Sequence, residues 1–222
     1  SYVNAYEQKM IMKRENIADR GIWTAKKRYI LNVWDSEGVR YAEPKLKMMG
    51  IEAVKSSTPA PCRQIKDVLK LIMTKTEDDV IDFIDQCRTK FSSLPPEDIS
   101  FPRTVSNVKK YRSVNAIYEK GTPIHARGAL LFNHYVKKNQ LTQKYSLINN
   151  GEKIKFCYLK RPNPIQENVI SFIQQFPEEL NLDKYIDYDL QFEKSFLEPL
   201  KIILQSIGWE SERRVNLESF FV

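Results

Sequence analysis

YILNVWDSEGVRYAEPKL, residues 29–46, carries β-branched and aromatic side chains on both sides of Asp35-Ser36-Glu37-Gly38. Such a run broken by turn-forming residues predicts a β-hairpin. If the strand extends back through KKRY at 26–29, Lys27 and Tyr29 share a face with Leu31 and Val33, while Lys26 and Arg28 share the other with Ile30, because side chains alternate along a strand.

Downstream of KSSTPAP the hydrophobic period changes. Thr58-Pro59 reads as a helix cap and first turn, and Ile65, Val68, Leu69 and Ile72 follow at amphipathic-helix spacing. Thr76-Glu77-Asp78-Asp79 opens a second helix in capping-box style, with Val80, Ile84, Cys87 and Phe91 on its buried side and Pro95-Pro96 ending the unit. Segments 98–110 and 152–160 alternate like short strands, the second entered through the Asn149-Asn150-Gly151 turn. HARGALLFNHYVKK between them reads as a helix with His125 and Arg127 near its start. A final helix from about Asp187 to Ile207 aligns Phe192, Phe196, Leu200, Ile203, Leu204 and Ile207, with Gly208 as its stop and Pro199 implying a kink or break. The predicted class is α+β: a β-hairpin unit, then a mainly helical unit with a small antiparallel β element.

The chain has 222 residues, 42% of them hydrophobic, enough for one large domain or two small ones. No stretch approaches the ~20 apolar residues that span a bilayer, and SYVNAYEQKM lacks the order of a signal peptide. A soluble protein with no membrane partner is expected. Cys62, Cys87 and Cys157 lie far apart without a CxxC pair, and His125 and His134 are nine residues apart. This spacing predicts buried thiols rather than a zinc site.

Charge is uneven. The net charge is +7, yet residues 101–161 hold 13 basic against 2 acidic residues, and 162–222 hold 5 against 11. A basic block interleaved with Tyr111, Tyr118, Tyr135, Tyr145 and Tyr158 favours a polyanion, with nucleic acid ahead of an anionic membrane surface. The acids of TEDDVIDFID read as first-turn helix residues and a wet face rather than metal ligands. Walker-type loops, HExxH and GxSxG are absent, so no catalytic constellation and no metal site is assigned.

Several motifs in order closely resemble the region just past the catalytic palm motifs of family B DNA polymerases, specifically the T-even-type phage replicative enzymes. They are MKRE at 12–15, KKRY at 26–29, NVWD at 32–35, YAEPKLK at 41–47, MGIE at 49–52 and KSSTP at 55–59. Downstream, PIHARG at 123–128, EKIKFCYLKRPNP and YIDYDLQFEKSFLEPL are similar to thumb segments of that family, so the resemblance covers nearly the whole chain. It implies the end of a palm over residues 1–55, a thumb over 56–212 and a tail over 213–222. Two departures stand out: Lys13 occupies the position of an Asp in the relatives' MDRE-type strand, and the loop at 16–22 is shorter. Glu15 is assigned no catalytic role.

The family's fingers, exonuclease and metal-binding palm aspartates lie upstream of this segment. The resemblance therefore implies a portion inactive on its own, part of a nucleotidyltransferase that needs Mg²⁺ when complete and works in the cytoplasm of an infected bacterial host. Its implied partners are primer-template DNA, the upstream polymerase polypeptide and a sliding clamp. The primer-contacting KxY motif falls on Lys27 and Tyr29, flanked by Lys26 and Arg28. Ser56, Ser57 and Thr58 suit a primer phosphate, and His125, Arg127 and the basic block would line the duplex side. Arg214-x-x-Leu217-x-x-Phe220-Phe221 has the spacing of clamp-binding peptides, with Arg in place of their usual Gln, making Leu217, Phe220 and Phe221 the anchors; the other possibility is a tail folded back on its own helix. Two other functions stay open at this stage: a stand-alone nucleic-acid-binding or clamp-interacting accessory protein without catalysis, and a metal-dependent nuclease built on the Asp-rich helix.

Overall fold

The computed structural model describes residues 13–51, 58–106 and 121–213. Two three-stranded antiparallel sheets, each with its strands in chain order, are joined by helices over one continuous apolar core. This is an α+β architecture.

The first sheet is a meander of β1 (Asn16–Ala25), β2 (Arg28–Ser36) and β3 (Val39–Met49). The expected hairpin is β2–β3. Glu37 and Gly38 both have positive φ, 54° and 90°, in the tight loop between Ser36 and Val39, which matches the right-handed twist of the strands it joins. Asp35, 5% exposed, accepts the Gly38 N–H through Oδ1 at 2.9 Å.

Two expectations are corrected here. Residues 16–22 are not a loop but the start of β1. Its signal was weak because an edge strand with register shifts at Ala18 and Trp23 buries only Ile22. Lys26 and Lys27, in turn, are not strand residues. They form the turn between β1 and β2, with Ala25 paired to Arg28 and Lys27 at φ 62°.

On the inward face, Ile22 pairs with Ile30 and Ile30 with Met48, facing the core. Arg20 Nη1 donates to the Met73 carbonyl at 2.6 Å, tying β1 to the end of the first long helix.

Helix α1 (Ile65–Thr74) buries Ile65, Val68, Leu69, Ile72 and Met73. Thr58-Pro59 does not open it directly. Pro59 caps a 3₁₀ turn at Ala60–Gln64, and the α-helix follows. Helix α2 (Glu77–Ser92) begins with the expected capping box: Thr76 and Asp79 bind each other's backbone N–H reciprocally. A short α3 (Pro96–Ile99) occupies the start of what alternation alone assigned to a strand, leaving β4 at Phe101–Thr104.

The second sheet is β4, β5 (Lys153–Tyr158) and β6 (Val169–Phe172). All four residues of β6 are buried, so it has no alternation to read. Helix α4 (Ile124–Lys138) packs across β6, where a Cβ on Gly128 would lie 3.0 Å from Ser171 N and closer still to its hydroxyl.

The final helix is continuous from Tyr188 to Ser206 but changes period inside. Asp187 caps α5 (Tyr188–Phe192) through Leu190 N at 3.1 Å; a π turn at Glu193–Leu197 follows, then α6 (Glu198–Ser206). Pro199 lacks the N–H that a regular α-helix would use, and the wider π turn directly before it absorbs the misfit. Phe192, Phe196, Leu200, Ile203 and Leu204 remain on one buried stripe through the π turn. Gly208, at φ 77°, ends α6 as expected. No helix among the described residues is long and apolar enough to cross a membrane.

Candidate nucleic-acid interface

The β1–β2 turn presents Lys26 and Lys27 side by side, both exposed. A neighbouring glycine makes this shape possible. Gly50, at φ 70°, passes so close that an added Cβ would meet the Lys27 carbonyl oxygen at 2.5 Å and Arg28 Cγ at 2.9 Å.

Tyr29, the second residue of β2, is half-buried, paired across β1 with Trp23 and across β3 with Met49. Cross-strand partners lie on the same face of a sheet. This row therefore sits outward, opposite the Ile22–Ile30–Met48 row. The same register sets Lys47 opposite Leu31 and Lys45 opposite Val33. Lys45 Nζ lies 4.1 Å from the centre of the Tyr41 ring.

Arg28 faces the other way, as strand alternation requires. It lines a cleft of about 240 Å³ with Thr24, Gly50, Ile51 and the α6 side, including Glu198 and Ile202. The KKRY segment thus divides: two lysines at a tip, Tyr29 outward, Arg28 toward α6. Trp23 and Met49, 63% and 45% exposed, belong to this surface although sequence reasoning did not single them out. Their signal was the strand character of GIWTA, hidden by the loop reading.

Thr58, half-buried, is the first described residue of the KSSTP segment; Ser56 and Ser57 lie outside the described residues. His125 and Arg127 are in the first turn of α4, on the second sheet. The His125 ring lies against Phe156, with centroids 6.2 Å apart, and its backbone carbonyl accepts from Ser171 Oγ at 3.0 Å. Burial first, and the positive Arg103 second, hold its imidazole below the ordinary 6.5. The ring is therefore neutral at pH 7. Arg127 Nη2 donates to Asn168 Oδ1 at 2.9 Å, while its Nε is buried with no hydrogen-bond partner among the described residues.

Part of the basic block is met by the acidic segment that follows it. Lys144 pairs with Glu179 at 2.5 Å, Arg161 with Glu167 at 3.3 Å and Lys160 with Asp189 at 3.4 Å. Two stretches of opposite charge in sequence thus neutralise one another locally in space. The Lys160–Asp189 pair, exposed on both sides, contributes little to stability, but all three pairs weaken the block's field.

Three of the five acids of α2 have structural partners. Asp79 closes the capping box, Glu77 Oε1 accepts from Glu210 N at 2.6 Å, and Asp82 pairs with Arg213. No three His, Cys, Asp or Glu side chains among the described residues gather to hold a metal ion. Glu15 is exposed just ahead of β1, where its carbonyl accepts from Glu37 N at 2.7 Å. Leu217, Phe220 and Phe221 lie outside the described residues.

No protein-family model matches the chain. It is 32% identical to the DNA-directed DNA polymerase of Escherichia phage RB69 over 234 aligned residues, covering 99% of this chain and 25% of that polymerase. Against the DNA-directed DNA polymerase of Enterobacteria phage T4 the identity is 30% over 238 residues, again 99% of this chain and 25% of the relative. Along almost its whole length, then, the chain is related to the T-even-type phage DNA-directed DNA polymerases, and it spans about a quarter of their length.

Proposed function

We propose that this chain is the end-of-palm and thumb portion of a family B phage replicative DNA polymerase, and that it grips primer-template duplex. The observation that carries the reading is the outward surface of the first sheet. Lys26 and Lys27 project at a turn beside Tyr29, in a chain related over 99% of its length to two phage DNA polymerases.

In this reading, Lys27 donates to groove acceptors or phosphate and Tyr29 packs against the primer backbone; neither contact selects sequence. Arg127 and the basic block add electrostatic grip, so affinity falls with salt. Nucleotide addition belongs to the assembled polymerase with its upstream palm aspartates and Mg²⁺, and this chain alone does not synthesise DNA. Leu217, Phe220 and Phe221 anchor the tail to a sliding clamp, in the cytoplasm of an infected bacterium.

The test is the anisotropy of a labelled primer-template titrated with the chain from low to physiological salt. Affinity should fall steeply with salt, and Lys27→Ala/Tyr29→Ala should weaken it about tenfold or more. Absence of binding, or binding indifferent to salt, overturns the reading. Deleting 217–222 should remove clamp binding and spare DNA binding; unchanged clamp affinity would eliminate the tail's assigned role.

A further inference from the structure

We propose that Trp23 is a nucleotide-stacking residue of the same interface: its indole packs on a base or deoxyribose while the neighbouring lysines hold phosphates. The inference rests on the nucleic-acid reading above and adds a residue and a contact type to it.

Trp23 is 63% exposed, although it is the largest side chain on β1. It nevertheless has a built seat. A Cβ on Gly21 would stand 2.6 Å from Cη2 and Cζ3 of the indole and 2.7 Å from Leu31 Cδ2. The ring therefore lies back over Gly21 beside Leu31, on space that only glycine leaves free, and the rest of it stays open to solvent. Its cross-strand partner is Tyr29, followed by Met49.

The surroundings indicate what covers it. Lys26 and Lys27 begin three residues further along the chain, and Lys45 and Lys47 occupy register positions on the same outward face. The buried centre of a protein–protein contact is depleted in lysine. Aromatic rings set among cations instead suit a polyanion with flat apolar faces, where stacking is sequence-tolerant and the lysines neutralise phosphates. An indole held against the sheet also loses little freedom on binding.

The contact is apolar, which separates it from the lysines experimentally. With Trp34→Phe and Trp209→Phe, Trp23 becomes the sole indole reporter in the chain. Titration with a single-stranded oligonucleotide, and separately with a blunt duplex of equal length, should change its emission saturably, in step with anisotropy. Quenching by the single strand alone assigns base stacking; quenching by both assigns sugar packing.

In the otherwise native chain, Trp23→Ala should weaken binding about tenfold without changing the slope of log affinity against log salt. Trp23→Phe should restore most of the loss. Lys27→Ala should instead reduce that slope by about one. Unchanged thermal melting checks that the exposed site tolerates the change. If DNA binds but Trp23→Ala binds equally well, or the emission does not respond, the proposal is overturned while the DNA-binding reading stands, and the indole belongs to a polypeptide interface. If no DNA binds, both fail.

Discussion

Gln191 Nε2 donates to the Ile99 carbonyl at 2.8 Å across 92 positions of sequence, and its Oε1 accepts from Tyr158 N at 3.1 Å. One fully buried amide on α5 thereby satisfies the end of α3 and the last residue of β5. Gln191→Leu keeps the volume but leaves both backbone groups unpaired, at roughly 1–3 kcal/mol each. Thermal denaturation should show the midpoint falling by about 2–4 °C per kcal/mol lost. Ser195→Ala, which removes a hydroxyl bonded to the Gln191 carbonyl, should cost less.

His125 should couple stability to pH. Its pKa is lowered in the folded chain by burial and by Arg103, so the unfolded state binds more protons between the two values. Its contribution is complete above the ordinary pKa of about 6.5 and is lost as pH falls through the lower folded value. Midpoints measured from pH 7.5 to 5 should fall less steeply for His125→Gln than for the native chain. At pH 7.5 the same substitution should leave the salt slope of DNA binding unchanged, because the neutral ring contributes no charge.

Glu179 accepts from both Lys144 and Tyr145, at 2.5 and 2.6 Å, and these bonds lower its carboxyl from 4.5 to about 2. A depressed carboxylate contributes stability above its ordinary pKa, and that contribution disappears as pH falls toward the folded value. Glu179→Gln should flatten the acid limb of the stability profile between about pH 4.5 and 2, as read by circular dichroism. An identical acid limb would dismiss the pairing as energetically silent.

The three thiols should be inert in the native state. Burial raises Cys157 to about 12 and Cys62 and Cys87 to about 11, so the reactive thiolate is scarce at neutral pH. A chromogenic disulfide should titrate none of them in native buffer and all three in guanidinium.

Gly50→Ala tests how the lysine turn is held. The substitution places a methyl group against the Lys27 carbonyl, at a positive φ that L-residues resist by about 1–2 kcal/mol. Both stability and DNA affinity should drop, whereas Gly38→Ala, with open space around its Cβ, should lower stability alone.

Local order was legible before the fold was known. The β2–β3 hairpin, the Thr76 capping box, the stripes of α1 and α2 and the Gly208 stop depend on residues within a few positions of one another. Short-range propensity and period suffice for such features. Pro199 pointed to an irregularity in the last helix, but not to its form as a π turn inside a continuous helix.

What was illegible depended on distance in the chain. β1 has little alternation because an edge strand buries one face sparsely, and β6 has none because both its faces are covered. Whether Lys26 and Lys27 continue a strand or turn between two was decided by the partner strand. Likewise, pairing of the basic block with Glu167, Glu179 and Asp189 could not be seen in charge counts. By itself the sequence determined the long helices, the main hairpin and the kinship with phage polymerases, because those reside in neighbouring residues and ordered motifs. Only the tertiary structure decided which acids meet Lys144, Lys160 and Arg161 and which aromatic ring stands beside Tyr29, because strand register and salt bridging join residues that the chain keeps apart.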